Sequence, residues 1–296
     1  MTTDGKKPLA TRIRGKVNGL IETWKFDNRW QLLADELLAG RALKIYRLKG
    51  IDVIADHRTG DHLGGVRGVL ASDEYRGLLR EIPVETVRTV MDLGAHVGGF
   101  VLLLKSLGAA LERVLCVEPN PVSRIKLQFN LQYNGIVADI FAGAISDSCG
   151  TADLYFGKMS TGFSLLAGHP NLEERRMEVE TLTLDILTDR YFPGMTIDIC
   201  KMDVEGAEFE ILLGRHAETL ANCRFLICEI HSVSGYKTSD LIEAIGQRGF
   251  LPVPVRGTFA NETLLFRHDN MNSRPLSSLA AHALETINTG ESARNI

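Results

Sequence analysis

The sequence predicts an α/β fold: one mostly parallel, seven-stranded sheet with helices on both faces, preceded by an N-terminal α+β appendage. Three observations predict it. From about Thr86 onward, short apolar runs alternate with helical patterns. Those runs are almost continuously apolar, as strands buried on both faces are. A glycine turn, Gly94 to Gly99, joins the first run to the first helix.

The elements follow in order. Residues 1–85 read as the appendage. A helical stretch from about Ile21 to Ala39 carries Leu32, Leu33, Leu37 and Leu38. KIYRL-KG-IDVIA reads as a hairpin turning at Lys49-Gly50. A glycine-rich loop, Gly60 to Gly68, comes next, and Ser72 can cap a short helix to about Leu79. In residues 86–270, VRTVMDLG, RVLCVEP, Ile140–Ile145, TIDICKMD and RFLICEIH supply five strands. PVSRIKLQFNLQYNG is a helix begun by Pro121 and ended by Gly135. A helix with Phe209, Leu212, Leu213 and Leu220 on one face follows the fourth strand, and another spans about Thr238 to Arg248. FLPVPV and ETLLFR supply the last two strands. Tyr155 to Gly168 reads as a loop long enough to form a lid. Residues 271–296 read as a small, polar tail.

Composition narrows the function. A chain of 296 residues with 45% hydrophobic and 24% charged residues can bury one large core. Net charge is −4, so no global basic field is present to hold nucleic acid. The local basic cluster Lys6, Lys7, Arg12, Arg14 and Lys16 reads as a solvated terminus. No run approaches the ~18 apolar residues of a membrane span, and the start lacks a signal-peptide core. Five cysteines without a CxxC pair suggest a reducing, cytoplasmic setting.

The sharpest local feature is Asp92-Leu-Gly-Ala-His-Val-Gly-Gly99 between the first strand and its helix. Gly94 and Gly98 permit a tight turn and close approach to a ligand. Glu118 ends the second strand, where a carboxylate can accept from both ribose hydroxyls of an adenosine. A dinucleotide fingerprint starting at Gly94 needs glycine at position 96, where this chain has His96. Asp92 at the strand end disfavours a pyrophosphate and suits an ammonium group. The bland alternative is an ordinary strand-to-helix turn.

VMDLGAHVGGF, CVEPNPVSRIKLQFNLQYNG, VETLTLDIL, IDICKMDVEGAEFEILLG and LICEIH, taken together, resemble the FkbM family of methyltransferases. The resemblance runs from about Val90 to His231 and weakly on to Phe266, and KMDVEGAE is its most distinctive block. It implies the Rossmann-like class I methyltransferase fold, S-adenosylmethionine (SAM) as methyl donor, and usually O-methylation, often of sugars in natural products or surface glycans. It places Asp92, Gly94 and Gly98 around the methionine half, Glu118 on the ribose, and Asp203 near the transfer centre. Ala95, His96, Pro119, Asn120 and Ala144 complete the candidate cofactor contacts. His96 departs from the family, which more often has Asn there.

Methyl transfer to oxygen needs alignment and removal of the acceptor's proton. His231 is the preferred base, its ordinary pKa of about 6.5 matching neutral pH. Asp203 is the second choice or orients the hydroxyl, and Lys201 stands beside it. Glu208 reads as a cap or pairing residue rather than a catalyst. Glu205, Glu229, Ser160, Phe163 and Ser164 are candidate contacts to a small-molecule or glycan acceptor. Asp203, Glu205, Glu229 and His231 could also hold Mg²⁺ or Mn²⁺. A NAD-dependent oxidoreductase and an RNA methyltransferase are the alternatives, and a homo-oligomer is left open.

Overall fold

The computed structural model describes residues 18–40, 42–157, 163–165, 172–255 and 263–271. The appendage opens with a helical turn over residues 18–24, then α1 (Arg29–Ala34), whose last turn widens over Asp35–Ala39. The single helix expected over Ile21 to Ala39 is therefore broken. Its four-leucine face also fails: Leu32 is buried, but Leu37 and Leu38 are 83% and 87% exposed.

The hairpin forms as expected. β1 (Leu43–Leu48) pairs antiparallel with β2 (Ile51–Asp56), and Leu48 lies opposite Ile51. Lys49 and Gly50 turn it with φ of 48° and 82°, the two left-handed residues that a tight hairpin turn requires.

The expected Gly60–Gly68 loop is instead helical over His62–Ala71, wound wide with bonds from Val66 N to Asp61 O and Ser72 N to Arg67 O. Its glycines serve close packing: a Cβ on Gly65 would lie 2.1 Å from His96 Nδ1. α2 (Asp73–Leu79) follows. Ser72 precedes it with extended backbone, but its hydroxyl donates back to Gly68 O, so the expected cap bond is not made.

The rest of the described chain contains β3 (Thr89–Leu93), α3 (Gly99–Ser106), β4 (Arg113–Val117), α4 (Pro121–Tyr133), β5 (Asp139–Phe141), β6 (Ala144–Ile145), β7 (Gly150–Gly157), β8 (Phe163–Ser164), β9 (Leu172–Leu182), α5 (Leu184–Tyr191), β10 (Ile197–Met202), α6 (Glu208–Leu213), β11 (Cys223–Glu229), α7 (Thr238–Gln247), β12 (Phe250–Pro252) and β13 (Thr263–His268). Seven strands form one sheet in the order β5-β4-β3-β10-β11-β13-β12. β13 runs antiparallel to both neighbours; the pairs among the first five strands are parallel. Every residue of β3 and β10 is buried, as central strands covered on both faces must be.

Alternate residues feed two cores. Val90 and Ile199 join one with Phe100, Leu103 and the appendage residues Phe26, Tyr46, Val53, Val66 and Tyr75. Met91, Leu93, Cys200 and Met202 join the other with Phe209, Leu212 and Phe266. Each such buried aliphatic or aromatic side chain contributes about 1.5–3 kcal/mol relative to exposure. The appendage thus shares a core with the sheet. Asn130, wholly buried on α4, stitches them: its amide donates to Val97 O and Ile54 O and accepts from Ile54 N.

Three further expectations are corrected. The third strand divides at Gly143, where a Cβ would lie 2.4 Å from Glu180 O. β5 stays in the main sheet, while β6 joins a second sheet ordered β6-β9-β7-β8. The expected lid loop is partly strand, since β7 reaches Gly157 and pairs with both β8 and β9. Finally, α6 stops before Gly214, so Phe209, Leu212 and Leu220 are buried but Leu213 is 41% exposed. All five cysteines are unpaired. Among the described residues no helix is long and apolar enough to cross a membrane.

Candidate active site

Strand order reverses between β3 and β10, and at such a switch point the carboxyl ends of the strands open a crevice. Gly94 turns there with φ 85°, and its Cα face lies against the next strand end: a Cβ would meet Asp203 O at 1.8 Å. Gly98 turns with φ 88° to begin α3. Between them His96 adopts φ 49°.

Glu118 is 1% exposed and both its oxygens are held by backbone: Oε2 accepts His96 N at 2.7 Å and Oε1 accepts Asn120 N at 2.8 Å. Burial pushes its carboxyl up, opposed by His96 and these hydrogen bonds. Lone pairs remain on both oxygens for further donors. Asn120 itself caps α4, accepting Val122 N at 3.0 Å. The His96 imidazole turns toward the appendage, its Nε2 3.5 Å from Asp61 Oδ1, and Asp61 also receives the Lys126 ammonium.

Two spaces meet at Gly94, Glu118, Asp203 and Glu205. One is a narrow lobe of about 50 Å³, walled mainly by Val117, Pro119, Ala144, Ile145, Leu154 and Val204. The other is a chamber of about 450 Å³. Its far wall is the appendage, with Glu22, Gly65, Ser72, Glu74 and Tyr75; its near wall carries Ala95, His96, Lys201 and Glu229. Sequence reasoning missed Glu74 and Tyr75. Glu74 reads only as a first-turn acid, yet it accepts the Thr263 hydroxyl at 2.5 Å and so ties α2 to β13.

The side chains at the ends of β10 and β11 form one electrostatic group. Lys201 Nζ donates to Gly94 O at 2.9 Å and Asp203 Oδ2 at 3.1 Å, and lies 3.5 Å from Asp92 Oδ1. Burial opposes its charge, but Asp203 and Asp92 hold the ammonium well above its ordinary range. Asp92 does not reach the crevice as expected. It is wholly buried, with Lys201 between it and the chamber.

His231 Nδ1 lies 2.8 Å from Glu208 Oε1, and Glu208 is completely buried. Glu208 therefore pairs, as expected, and its Oε1 also accepts Val204 N at 3.1 Å. His231 Nε2 faces Glu205 Oε2 at 3.5 Å, and Asp203 Oδ1 and Glu229 Oε1 at 4.0 Å each. Burial works against the imidazolium, but the Glu208 bond and the charges of Glu208, Glu205 and Asp203 outweigh it and raise the ring to about 9. Burial, then the charge of Asp203, raises Glu205 to about 8 and Glu229 to about 7. His231 lines neither space, standing behind carboxylates that do.

Glu205 keeps its place at a conformational cost, with φ 54° for a residue bearing a side chain. The Ser164 hydroxyl donates to its carbonyl at 2.8 Å. Ser164, expected beside an acceptor, thus lines the narrow lobe. Ser160 and the Phe163 side chain lie outside the described residues. Asp203, Glu205 and His231 offer donor atoms within 4.8 Å of one another, the place among the described residues where the divalent ion weighed above would find three ligands.

Residues 92–252, more than half the chain, match the model of the methyltransferase FkbM domain. The chain belongs to the FkbM methyltransferase family. As a member of that family it is a SAM-dependent methyltransferase of the Rossmann-like class I fold, which its strand order displays. Methyltransferase sdnD of Sordaria araneosa is 29% identical over 185 residues, 53% of this chain and 70% of that protein. Among solved structures, an FkbM methyltransferase from Methylobacillus flagellatus is 16% identical, covers 83% of this chain and 60% of its own, and has a TM-score of 0.41. Magnesium protoporphyrin IX methyltransferase from Synechocystis, solved with bound SAM, is 15% identical, covers 66% and 76% respectively, and has a TM-score of 0.39. Family membership sets the NAD-dependent alternative aside.

The FkbM site fits SAM. Glu118 stands where the two spaces meet, with lone pairs to spare for ribose hydroxyls, and the apolar lobe beside it suits a purine face. SAM supplies a methyl group on a positively charged sulfur, for which the carboxylate-rich junction is a favourable surrounding.

Proposed function

We propose that this FkbM protein transfers the methyl group of SAM to a hydroxyl of a sugar, glycan or glycosylated metabolite. One observation carries the reading: the chamber of about 450 Å³ next to the Glu118 junction is walled by carboxylates, Glu22, Glu74, Asp203, Glu205 and Glu229. An ionised carboxylate accepts hydrogen bonds and a protonated one, as burial favours for Glu205, both donates and accepts, so the wall suits a ligand rich in hydroxyl groups. Lys201 offers little to an anion, because Asp203 and Asp92 already face it. The same wall repels phosphate, which disfavours RNA.

In this reading Glu118, Pro119, Asn120, Ala144, Gly94, Ala95, His96 and Gly98 shape the cofactor half. Lys201 braces Asp203 against the Gly94 carbonyl, and Asp203 orients the acceptor hydroxyl. Residues 1–85 act as the acceptor-selecting part and 86–270 as the catalytic part, since Glu22, Ser72, Glu74 and Tyr75 form the far chamber wall. Five unpaired cysteines suit a reducing cytoplasm.

The test incubates the protein with SAM and a panel of neutral, amino and phosphorylated sugars and alkyl glycosides, with a structured RNA as comparison. Release of S-adenosylhomocysteine with a new O-methyl ether on a neutral or amino sugar is expected. Methylation of the RNA, or of phosphorylated sugars ahead of neutral ones, refutes the reading.

A further inference from the structure

We propose that the appendage carries a docking face for an anionic lipid bilayer. Leu20, Ile21, Trp24 and Trp30 are each more than half exposed, and Leu37 and Leu38 almost fully so. These six side chains form one strip. Leu20 and Trp24 stand one turn apart on the helical turn over residues 18–24. The Trp24 and Trp30 rings meet edge to face, their centroids 4.9 Å apart. Leu37 and Leu38 lie about two turns beyond Trp30 along α1 and its widened last turn, the spacing that returns a helix to the same face. Single exposed apolar residues are ordinary on a protein surface; a strip of six large ones marks a binding face.

The strip faces away from the chamber. Glu22 shares its helical turn with Leu20 and Trp24 but is two residues from each, which sends it to the other side of the helix. There it lines the chamber. A bilayer against the strip therefore leaves the chamber wall in place.

The residue types select the bilayer. An indole has an apolar body and one polar N–H, which suits the boundary between water and acyl chains. Leucines beside it can enter that boundary. An apolar strip of this size holds a membrane only weakly and needs a second attraction. The sequence supplies one. Residues 1–17 carry Lys6, Lys7, Arg12, Arg14 and Lys16 against Asp4 alone, while the whole chain has a net charge of −4. Lys16 stands two residues before Asn18, where the helical turn of the strip begins. This gives the basic cluster a partner in place of bulk water. Arg29 adds a cation inside the strip, its guanidinium 5.5 Å from the Trp24 ring centroid. Asp35 and Glu36 adjoin the leucines, so the attraction is concentrated at the tryptophan end.

Other occupants fit less well. A standard protein interface takes about 20–30 residues a side, and the strip offers six large ones to a second copy of the chain. Nucleic acid would neutralise the cations but leave Leu37 and Leu38 in water.

Trp24 and Trp30 are the only tryptophans in the sequence, so indole fluorescence reads this strip alone. The full chain, without SAM or acceptor, is titrated with vesicles of phosphatidylcholine containing about one third phosphatidylglycerol, and with vesicles of phosphatidylcholine alone. With the anionic vesicles the emission should shift to the blue and escape quenching by acrylamide, and the protein should float with the lipid. Each cation near such a surface strengthens binding about fivefold, so replacing Lys6, Lys7, Arg12, Arg14 and Lys16 by glutamine should weaken it at least about a hundredfold. Leu37→Gln with Leu38→Gln, at positions exposed enough to spare the fold, should weaken it about tenfold or more. Emission unmoved by the anionic vesicles overturns the inference. So does equal binding to both kinds of vesicle, or binding that neither set of substitutions alters. A mass of two chains in light scattering that returns to one with the leucine pair replaced would give the strip to a second copy, and overturns it as well. No turnover is read, so the result is independent of which acceptor the enzyme methylates.

Discussion

Where β3 and β4 end, the crevice is shaped by backbone; where β10 and β11 end, it is shaped by charge. At the first end, Gly94, His96 and Gly98 take left-handed conformations, and the Glu118 carboxylate is clamped by two peptide N–H groups. At the second, Lys201, Asp203, Glu205, Glu208, Glu229 and His231 hold one another through ion pairs and one hydrogen-bonded imidazole. The first end is held mainly by peptide groups that do not titrate. The second has an arrangement that exists for one set of protonation states. The contrast suits a cofactor that is always the same and a proton that must move.

Four measurements would break or sharpen this contrast. The largest effect is expected for Gly94→Ala. Its Cβ would collide with Asp203 O at 1.8 Å in a left-handed residue, so unfolding free energy should drop by about 3 kcal/mol or more. Urea denaturation of this variant at near wild-type stability would show that the backbone end is not rigid. Next, Glu118→Ala should weaken SAM binding about ten- to a hundredfold in calorimetry, for loss of charge-assisted hydrogen bonds. Unaltered affinity would detach Glu118 from the ribose.

The third effect is a slope. Glu229 and Glu205, raised to about 7 and 8, hold protons in the folded chain that the unfolded chain has already released. His231, raised to about 9, does the same. The folded state therefore binds more protons, and stability should fall as pH rises from about 5 to 9. The His231 contribution is whole below about 6.5 and is lost through pH 9. Urea titrations across that range should show the decline, and Glu229→Gln should flatten its middle. A stability that climbs over this interval contradicts the charge-built end. The smallest effect is Asn120→Ala, which removes the α4 cap and should cost about 1 kcal/mol. SAM affinity should hold, because the contact to Glu118 comes from the Asn120 backbone.

The two ends also differ in how far they can be read from the chain. Apolar strands and glycine turns are local signals, so the turns at Gly94 and Gly98 and the strand end before Glu118 are legible in the chain. Asp92 was not: a neighbour from β10, Lys201, intercepts it, and no local pattern announces that. The second sheet was missed because β9 runs Glu173, Glu174, Arg175, Arg176, Glu178 and Glu180 through its length and offers no apolar run. Gly60 to Gly68 reads as a loop because glycine usually marks freedom, yet His62–Ala71 is helical. Here glycine marks crowding. His231 as base rests on its ordinary pKa, and no local pattern announces that Glu208, Glu205 and Asp203 gather around the ring against the effect of burial and raise it to about 9.

That crowding has a practical consequence for anyone wishing to retarget the enzyme. Gly65 and Gly99 pass so closely that a methyl on the latter would lie 2.2 Å from the former's carbonyl oxygen. The roof of the chamber therefore cannot be hinged away or exchanged as a module without disturbing the start of α3. In the sugar-methylation reading, a change of acceptor would come from Val69, Ser72 and Glu74, which line the chamber while the glycine seam beside them stays shut and Tyr75 stays in the core.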